Sequence, residues 1–456
     1  MTLRRWPKVE ELREKLNGKA KAEETFRFYL LYDKVYRKDF LEAAYAKCRS
    51  NDGAPGVDGE TFEDIEAYGV DRYLEELARE LKELRYQPGP VRRVLIEKEN
   101  QPGKYRPLGI PNIRDRIVQQ AVVLLLSPIF EADFPEGMYG YREGRSAQDA
   151  VREVDEGLRN RWVNVVDADL SKYFDTIPHD QLMKSVERRV ADRKVLWLIR
   201  AWLKVPVHET NARGRVVVRG GRKTKEGTPQ GGVISPLLAN IYFRRVLVAW
   251  KARGYDQQYE SRIVNYADDF VILCRRDAQG AYQTARRLIS GIGLTLNEQK
   301  TRVVRAWNNP FNFLGFTFGQ QYGKGGEGSL GKWPSTKNTA RYREKIRALT
   351  ARDQTWKRAE EVVQRINQTT TGFWQYFRIG TTTKVSHDLD DFVYERVTRW
   401  AQKKYKRPRH SRDSRQAHQK RNQAIARVLK QVTRSRNWLR AYKGGPLFCA
   451  ERSYAQ

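Results

Sequence analysis

One short segment narrows the fold of this chain more than any other: "VNYADDFVILC", Val264 to Cys274. Two aspartates, Asp268 and Asp269, sit side by side between β-branched and aromatic runs. Adjacent carboxylates repel, and burying one unpaired is costly. The flanks read as two strand halves folded about the acidic pair. Carboxylates on such a turn have little side-chain freedom, and a divalent cation seated on them would stabilise them. Mg2+ takes carboxylate and phosphate oxygens and keeps some water. Two such ions can activate an attacking hydroxyl and stabilise a leaving pyrophosphate. A third carboxylate from another strand is usually needed. Asp169 stands where the apolar "VNVVDAD" gives way to "LSKYF", with Asp167 and Asp175 as nearby alternatives. The competing reading, acids that cap turns or pair with surface Arg, fits the apolar flanks and Tyr266 less well.

The rest of the composition names the partner. The chain has 456 residues, which suggests two or three packed units. Hydrophobic residues at 40% supply a sizeable core. The formal net charge is +31, from 86 Lys and Arg against 55 Asp and Glu. That excess calls for a polyanion: nucleic acid first, an anionic membrane surface second. No run is apolar and long enough to span a bilayer, so no membrane partner is expected. The N-terminal stretch has no apolar signal core, so secretion is not expected. Cys48, Cys274 and Cys449 lie far apart, with no CxxC pair. A zinc site or disulfide framework is therefore not expected, and a reducing cytoplasm is.

Residues 1–50 read as helical, and 51–62 as a Gly/Pro/Asp turn cluster. Residues 71–87 read as an amphipathic helix with Leu74, Leu77, Leu81 and Leu84 on one face. Two extended segments about a Pro-Gly turn in 91–111 read as a hairpin. Residues 115–134 are a buried helix, and Ser146 caps another. In "KEGTPQGGVISPLLANIYFRRVL" (225–247) Ser235 reads as N-cap and Pro236 as the first helical residue. Residues 281–304 read as helix then strand, and "FNFLGFTF" (311–318) as one aromatic strand. "GKGGEGSLGKWP" (323–334) reads as a connector to helices at 337–350, 356–368 and 384–405. Residues 406–423 read as an unpatterned linker or arm. Residues 403–443 carry 15 Lys and Arg and one acid, Asp413.

"YADD" (266–269), preceded by "DLSKYFDTI" (169–177), resembles the palm of a reverse transcriptase. Other blocks follow in that family's order. "GAPGVDGETF" (53–62), "EKENQPGKYRPLGIP" (97–111) and "GYREGRSAQDAV" (140–151) resemble the first blocks of group II intron reverse transcriptases. "GTPQGGVISPLLANIYF" (227–243), "GLTLNEQKTRV" (293–303) and "FNFLGFTF" resemble the later ones. "TTGFWQYFRIG" (370–380) resembles the maturase signature of the thumb.

The resemblance implies an α+β right-hand polymerase: an N-terminal helical block (1–85), fingers (86–160), an antiparallel palm (161–322), a helical thumb or maturase domain X (335–405) and a basic C-terminal arm (406–456). It implies RNA-directed DNA synthesis with two Mg2+ ions, Mn2+ being able to substitute. Asp169, Asp268 and Asp269 match the metal triad, with the backbone carbonyl of Leu170 as a further ligand. Phe174 falls at the steric-gate position, although a core aromatic is the alternative. Lys98 and Arg106 flank the fingers turn as triphosphate contacts, with Lys104, Arg92 and Arg93 as other candidates. Gln230 would pack beside the incoming nucleotide. Lys300 would protonate the leaving pyrophosphate or else be a surface lysine. Phe313, Leu314 and Gly315 would form the primer grip. Trp374, Tyr376 and Phe377 fit core packing better than RNA contact.

The implied partners are group II intron RNA, an RNA template with a DNA or RNA primer, target DNA and dNTPs. The implied roles are maturase-assisted splicing and retrohoming by target-primed reverse transcription. A ribonucleoprotein of the bacterial or archaeal cytoplasm, associated with the nucleoid, fits those partners. With one cysteine near the C-terminus, the zinc-stabilised endonuclease of longer family members is not expected. Two alternatives stand beside this reading: a stand-alone relative used in DNA repair or phage defence, and a splicing-only RNA-binding protein.

Overall fold

The computed structural model describes residues 5–97, 103, 105–211, 213–322, 326–406 and 414–434. Its strands, in chain order, are β1 (Val91–Glu97), β2 (Tyr105–Ile110), β3 (Asn164–Asp169), β4 (Pro206–Thr210), β5 (Val216–Gly220), β6 (Ser261–Tyr266), β7 (Asp269–Cys274), β8 (Arg302–Arg305), β9 (Phe311–Phe313), β10 (Phe316–Tyr322) and β11 (Gly328–Pro334). They form three sheets, ordered β2-β1-β4-β5, β6-β7-β3-β8 and β11-β10-β9. Helices pack around all three, as an α+β polymerase fold requires.

The middle sheet is antiparallel throughout. Phe270 to Cys274 in β7 are all buried, which is why the sequence shows an unbroken apolar run there. The run still alternates. Phe270, Ile272 and Cys274 join one core with the helices Ile113–Glu131, Ser235–Ala252 and Ala278–Gly291. Val271 and Leu273 join a second core, with the helix Ala147–Arg159 and the C-terminal helices. The sheet is thus the partition between two cores, and its side-chain period of two divides each strand between them.

Several local expectations hold. Helices cover Pro7–Ala22 and Lys38–Arg49 near the N-terminus. Ser146 caps its helix through a reciprocal bond with Asp149. The hairpin of β1 and β2 forms, although most of its turn, Lys98 and Lys104 included, lies outside the described residues. Trp374 and Phe377 are buried core. No helix among the described residues is long and apolar enough to cross a membrane.

Other expectations are corrected. Leu84 does not extend the apolar face of its helix, which ends at Lys82. It takes a left-handed φ of +60° and is exposed, because Arg85 N–H closes back on Glu80 O and Leu84 N–H on Leu81 O. Ser235 is not the cap; Ile234 is, and the Ser235 hydroxyl donates to Pro229 O at 2.9 Å, inside the preceding turn. "FNFLGFTF" is two strands, because Leu314 and Gly315 turn the chain between β9 and β10.

The supposed connector contains β11, which pairs with the whole of β10. Its glycines serve close approach: a Cβ at Gly328 would meet Gln320 Nε2 at 2.8 Å. The supposed linker contains a helix, Ser414–Gln431. Ile425 and Val428 anchor it to the C-terminal bundle, at a spacing that becomes readable only beyond residue 423.

Candidate active site

The register of β3 and β7 builds the site. Asp169 lies directly across from Asp269, on one sheet face at the ends of the two strands. The turn between β6 and β7 adds Asp268 beside them. Ala267 holds a left-handed φ of +59° there, and Leu170 N–H donates to Asp268 O at 3.1 Å. The turn is braced from behind. Tyr139 N–H donates to Asn265 O, and Asn265 N–H to Gly137 O. The buried Asn265 amide donates to Ala267 O at 2.9 Å. Gly140 is in contact with the turn, and a Cβ on it would meet Ala267 N at 2.5 Å.

The three carboxylates are electrostatically frustrated. Burial pushes the Asp269 carboxyl up to about 7, with Asp268, Asp169 and Asp167 adding repulsion. Asp268 is also raised, mainly by burial. Lys300 provides the local counter-charge, with Nζ 2.9 Å from Asp169 Oδ2, and that bond raises its own pKa. Asn297 donates to the same oxygen at 3.2 Å and through its N–H to Asp169 O.

Of the alternatives, Asp167 lies two residues back along β3, opposite Val271 and Arg302, with its pKa raised to about 6 by burial. Asp175 lies apart from the cluster and accepts from Gln230 Nε2 at 3.2 Å.

The donor set suits a hard dication: the exposed Asp268 and the half-buried Asp169 and Asp269 present oxygens that repel one another until a cation joins them. Among the described residues, no three or more His, Cys, Asp or Glu side chains are gathered so that they could hold a metal ion by themselves. One Asp169 oxygen is engaged by Lys300 and Asn297. Such a site leaves coordination positions for phosphate oxygens and water, as Mg2+ sites do.

The other residues named from the sequence have partners of their own. Phe174 is half-buried, with its ring edge-on to Tyr141 at 6.3 Å and beside Tyr173. Its carbonyl accepts from Thr228 N–H at 2.6 Å, tying it to the glycine turn. Gln230 O accepts from Gly109 N–H at 2.5 Å, which docks β2 against that turn. Gly231, at φ +108°, makes the approach possible, since a Cβ there would run into Gly109 O. Arg106, exposed on β2, pairs across to Ile96. Arg93 is 3.6 Å from Glu209, and its charge reaches Asp175.

Phe313 ends β9 in the second core, and Leu314 and Gly315 form the following turn. Three residues here escaped the sequence reading: Tyr141, Asn297 and Asp175 in its link to Gln230. Each lies inside or next to a quoted block, but its contact partner is distant along the chain.

Residues 96–318 match the family described as "Reverse transcriptase (RNA-dependent DNA polymerase)". Residues 339–421 match "Group II intron, maturase-specific domain". Protein YkfC of Escherichia coli is 36% identical over 67% of this chain and 87% of its own length. The group II intron-encoded protein LtrA of Lactococcus lactis is 33% identical over 52% of this chain and 38% of its own. An uncharacterised 91 kDa protein in a cob intron of Schizosaccharomyces pombe is 26% identical over 63% of this chain and 41% of its own.

Proposed function

The chain belongs to the group II intron-encoded reverse transcriptases and maturases, and from that premise we propose that it copies RNA into DNA at Asp169, Asp268 and Asp269. The observation that carries this reading is the cross-strand pairing of Asp169 with Asp269, beside Asp268 on the adjoining turn. Two Mg2+ ions held by these carboxylates and the Leu170 carbonyl, with Mn2+ as a substitute, would activate the primer 3′-hydroxyl and offset charge on the leaving pyrophosphate.

The chain's own residues do the rest. Phe174, steadied by Tyr141 and Tyr173, excludes a ribose 2′-hydroxyl and so selects dNTPs. Gln230, held by Asp175 and Gly109, forms the floor on which the incoming base stacks against the template. Arg106 and Lys98 grip the triphosphate, Arg106 with its forked donors. Lys300, kept protonated by Asp169, is poised to hand a proton to the pyrophosphate.

Residues 86–160 act as fingers, 161–322 as palm and 335–405 as thumb. The N-terminal block 1–85 and the basic extension 406–456 serve RNA and target-DNA backbone binding. The bound RNA is the group II intron, for splicing and for retrohoming by target-primed synthesis.

The test is primer extension on an RNA template. Wild-type protein should extend a DNA primer only with Mg2+ or Mn2+. Asp268→Ala should lower the rate by about a thousandfold or more while intron-RNA affinity stays within about twofold. Full extension by Asp268→Ala would overturn the assignment. Tight RNA binding without extension by the wild type would leave a splicing-only protein.

A further inference from the structure

The turn between β9 and β10 is held from outside its own sheet. Leu314 and Gly315 both adopt left-handed backbone, with φ of +47° and +79°. For leucine that conformation costs about 1 kcal/mol, so something must hold it. Both turn carbonyls are bonded to the C-terminal helical bundle. Tyr376 donates its hydroxyl to Leu314 O at 2.8 Å. Asn338 Nδ2 donates to Gly315 O at 3.0 Å, and Ser335 N–H to the same oxygen at 2.9 Å. A Cβ on Gly315 would meet Asn338 Nδ2 at 2.5 Å, so glycine is what lets the amide reach in. Burial raises the Tyr376 hydroxyl to about 12, which keeps it a donor at working pH.

The N–H groups of the same turn are in the opposite situation. Neither Leu314 N–H nor Gly315 N–H bonds to any described residue. They border an open groove of about 620 Å3 whose walls include Arg341, Lys345, Gln368 and Tyr376 and no acidic side chain. Paired backbone donors beside cations suit a phosphodiester oxygen. The strand leading into the turn, β9, packs against β3 and β7, which carry the aspartates. The family resemblance implies that Phe313, Leu314 and Gly315 contact the primer, but it does not name what holds that turn in place.

We propose that Tyr376 and Asn338 are positioning residues that lock the Leu314–Gly315 turn so that its two N–H groups bind a backbone phosphate of the primer strand. This rests on the polymerase reading above. It names the bundle groups that hold the primer contact in place, so that primer affinity depends on a hydroxyl carried by the helix Ala359–Phe377.

The experiment measures equilibrium binding of a labelled DNA primer annealed to an RNA template. A companion series of primers carries a single uncharged methylphosphonate at successive positions near the 3′ end. The proteins are wild type, Tyr376→Phe, Asn338→Ala and a control, Tyr342→Phe, which breaks a 2.8 Å bond to Thr370 inside the same bundle. Wild type should lose about tenfold in affinity at one methylphosphonate position. Tyr376→Phe and Asn338→Ala should bind the ordinary primer about five- to tenfold more weakly and be indifferent to that methylphosphonate. KM for dNTP should hold within about twofold in both variants, and Tyr342→Phe should behave as wild type.

Unchanged affinity in Tyr376→Phe, full methylphosphonate sensitivity retained in that variant, or an equal loss in Tyr342→Phe would each overturn the proposal. Wild type that binds no primer–template at all would overturn the polymerase reading instead.

Discussion

At the scale of single residues, the site depends on side chains held by partners far away in the chain. The Phe174 ring is steadied by Tyr141 and its carbonyl by Thr228, so truncating it opens space without moving the aspartates. Phe174→Ala should therefore raise ribonucleotide incorporation by about tenfold or more relative to dNTP, read as a ratio of kcat/KM values. No rise would make Phe174 a core aromatic only.

A second residue-scale prediction concerns pH. Asp115 is 3% exposed and accepts from Tyr86 Oη at 2.7 Å and Gly89 N–H at 3.0 Å. Burial nevertheless raises its pKa from 3.8 to about 6. A raised carboxylate pKa means that the unfolded chain releases its proton first. Between about pH 4 and 6 the fold binds the extra proton, and the stability this group contributes is lost as pH rises through that window. The change is about 3 kcal/mol at most. Asp115→Asn should flatten that part of the stability–pH curve relative to wild type in denaturant titrations. Equal slopes in both proteins would show that Asp115 ionises in the fold as freely as in the unfolded chain.

At the scale of elements, the β6–β7 turn is placed by a neighbour with no side chain. Gly140 has an ordinary backbone, so alanine there would be unstrained, but its Cβ would meet Ala267 N at 2.5 Å. Backbone cannot yield as a flexible side chain can. Gly140→Ala should push the turn by a fraction of an ångström. It should cost about 1–3 kcal/mol in stability and on the order of a hundredfold in kcat, with primer–template affinity nearly intact. Wild-type kcat in that variant would show that the turn is not positioned from Gly140.

This element also shows what could be read from a window of sequence. The acidic pair, its apolar flanks, the Ser146 cap and the amphipathic helices are local patterns and were legible. The β9–β10 turn was not, because one glycine in an aromatic run is weak punctuation. What forces the turn, Asn338 and Tyr376 binding its carbonyls, comes from residues 23 and 62 positions away. The helix Ser414–Gln431 was missed for a related reason. Its polar half precedes its apolar anchors, and Asn367 secures its end by donating to Gln431 O and accepting from Thr433 N–H.

At the scale of the whole molecule, two cores meet across one sheet, and a few polar links cross between the central region and the C-terminal bundle. Gln148 donates to Gln375 O and Tyr376 O. Lys332, on β11, reaches Asp155 on the helix Ala147–Arg159 at 2.6 Å, with side chains only 8% and 15% exposed. Breaking the pair leaves the largely buried Asp155 with, among the described residues, only the exposed Arg159, at 3.1 Å, as a partner. Lys332→Met should cost about 3 kcal/mol in denaturant unfolding, and Lys332→Met with Asp155→Leu clearly less. Strict additivity would mean the two charges do not couple. Because the pair ties β11 to the helix behind the acidic turn, the single variant should also lower processivity more than single-nucleotide addition.

The amino-acid sequence by itself determined the chemistry available to this protein: a carboxylate pair on a strand turn, a third acid after another apolar strand, and a net charge of +31 that calls for a polyanion. These rest on composition and on periods of two and 3.6 residues, which any short window contains. Only the tertiary structure decided which carboxylates face one another, which counter-ion they share, and which helix holds the turn beside the groove. Those depend on strand register and on contacts between residues tens to hundreds of positions apart. A one-residue slip in β3 would turn Asp169 to the other face of the sheet, and local propensity does not specify that choice.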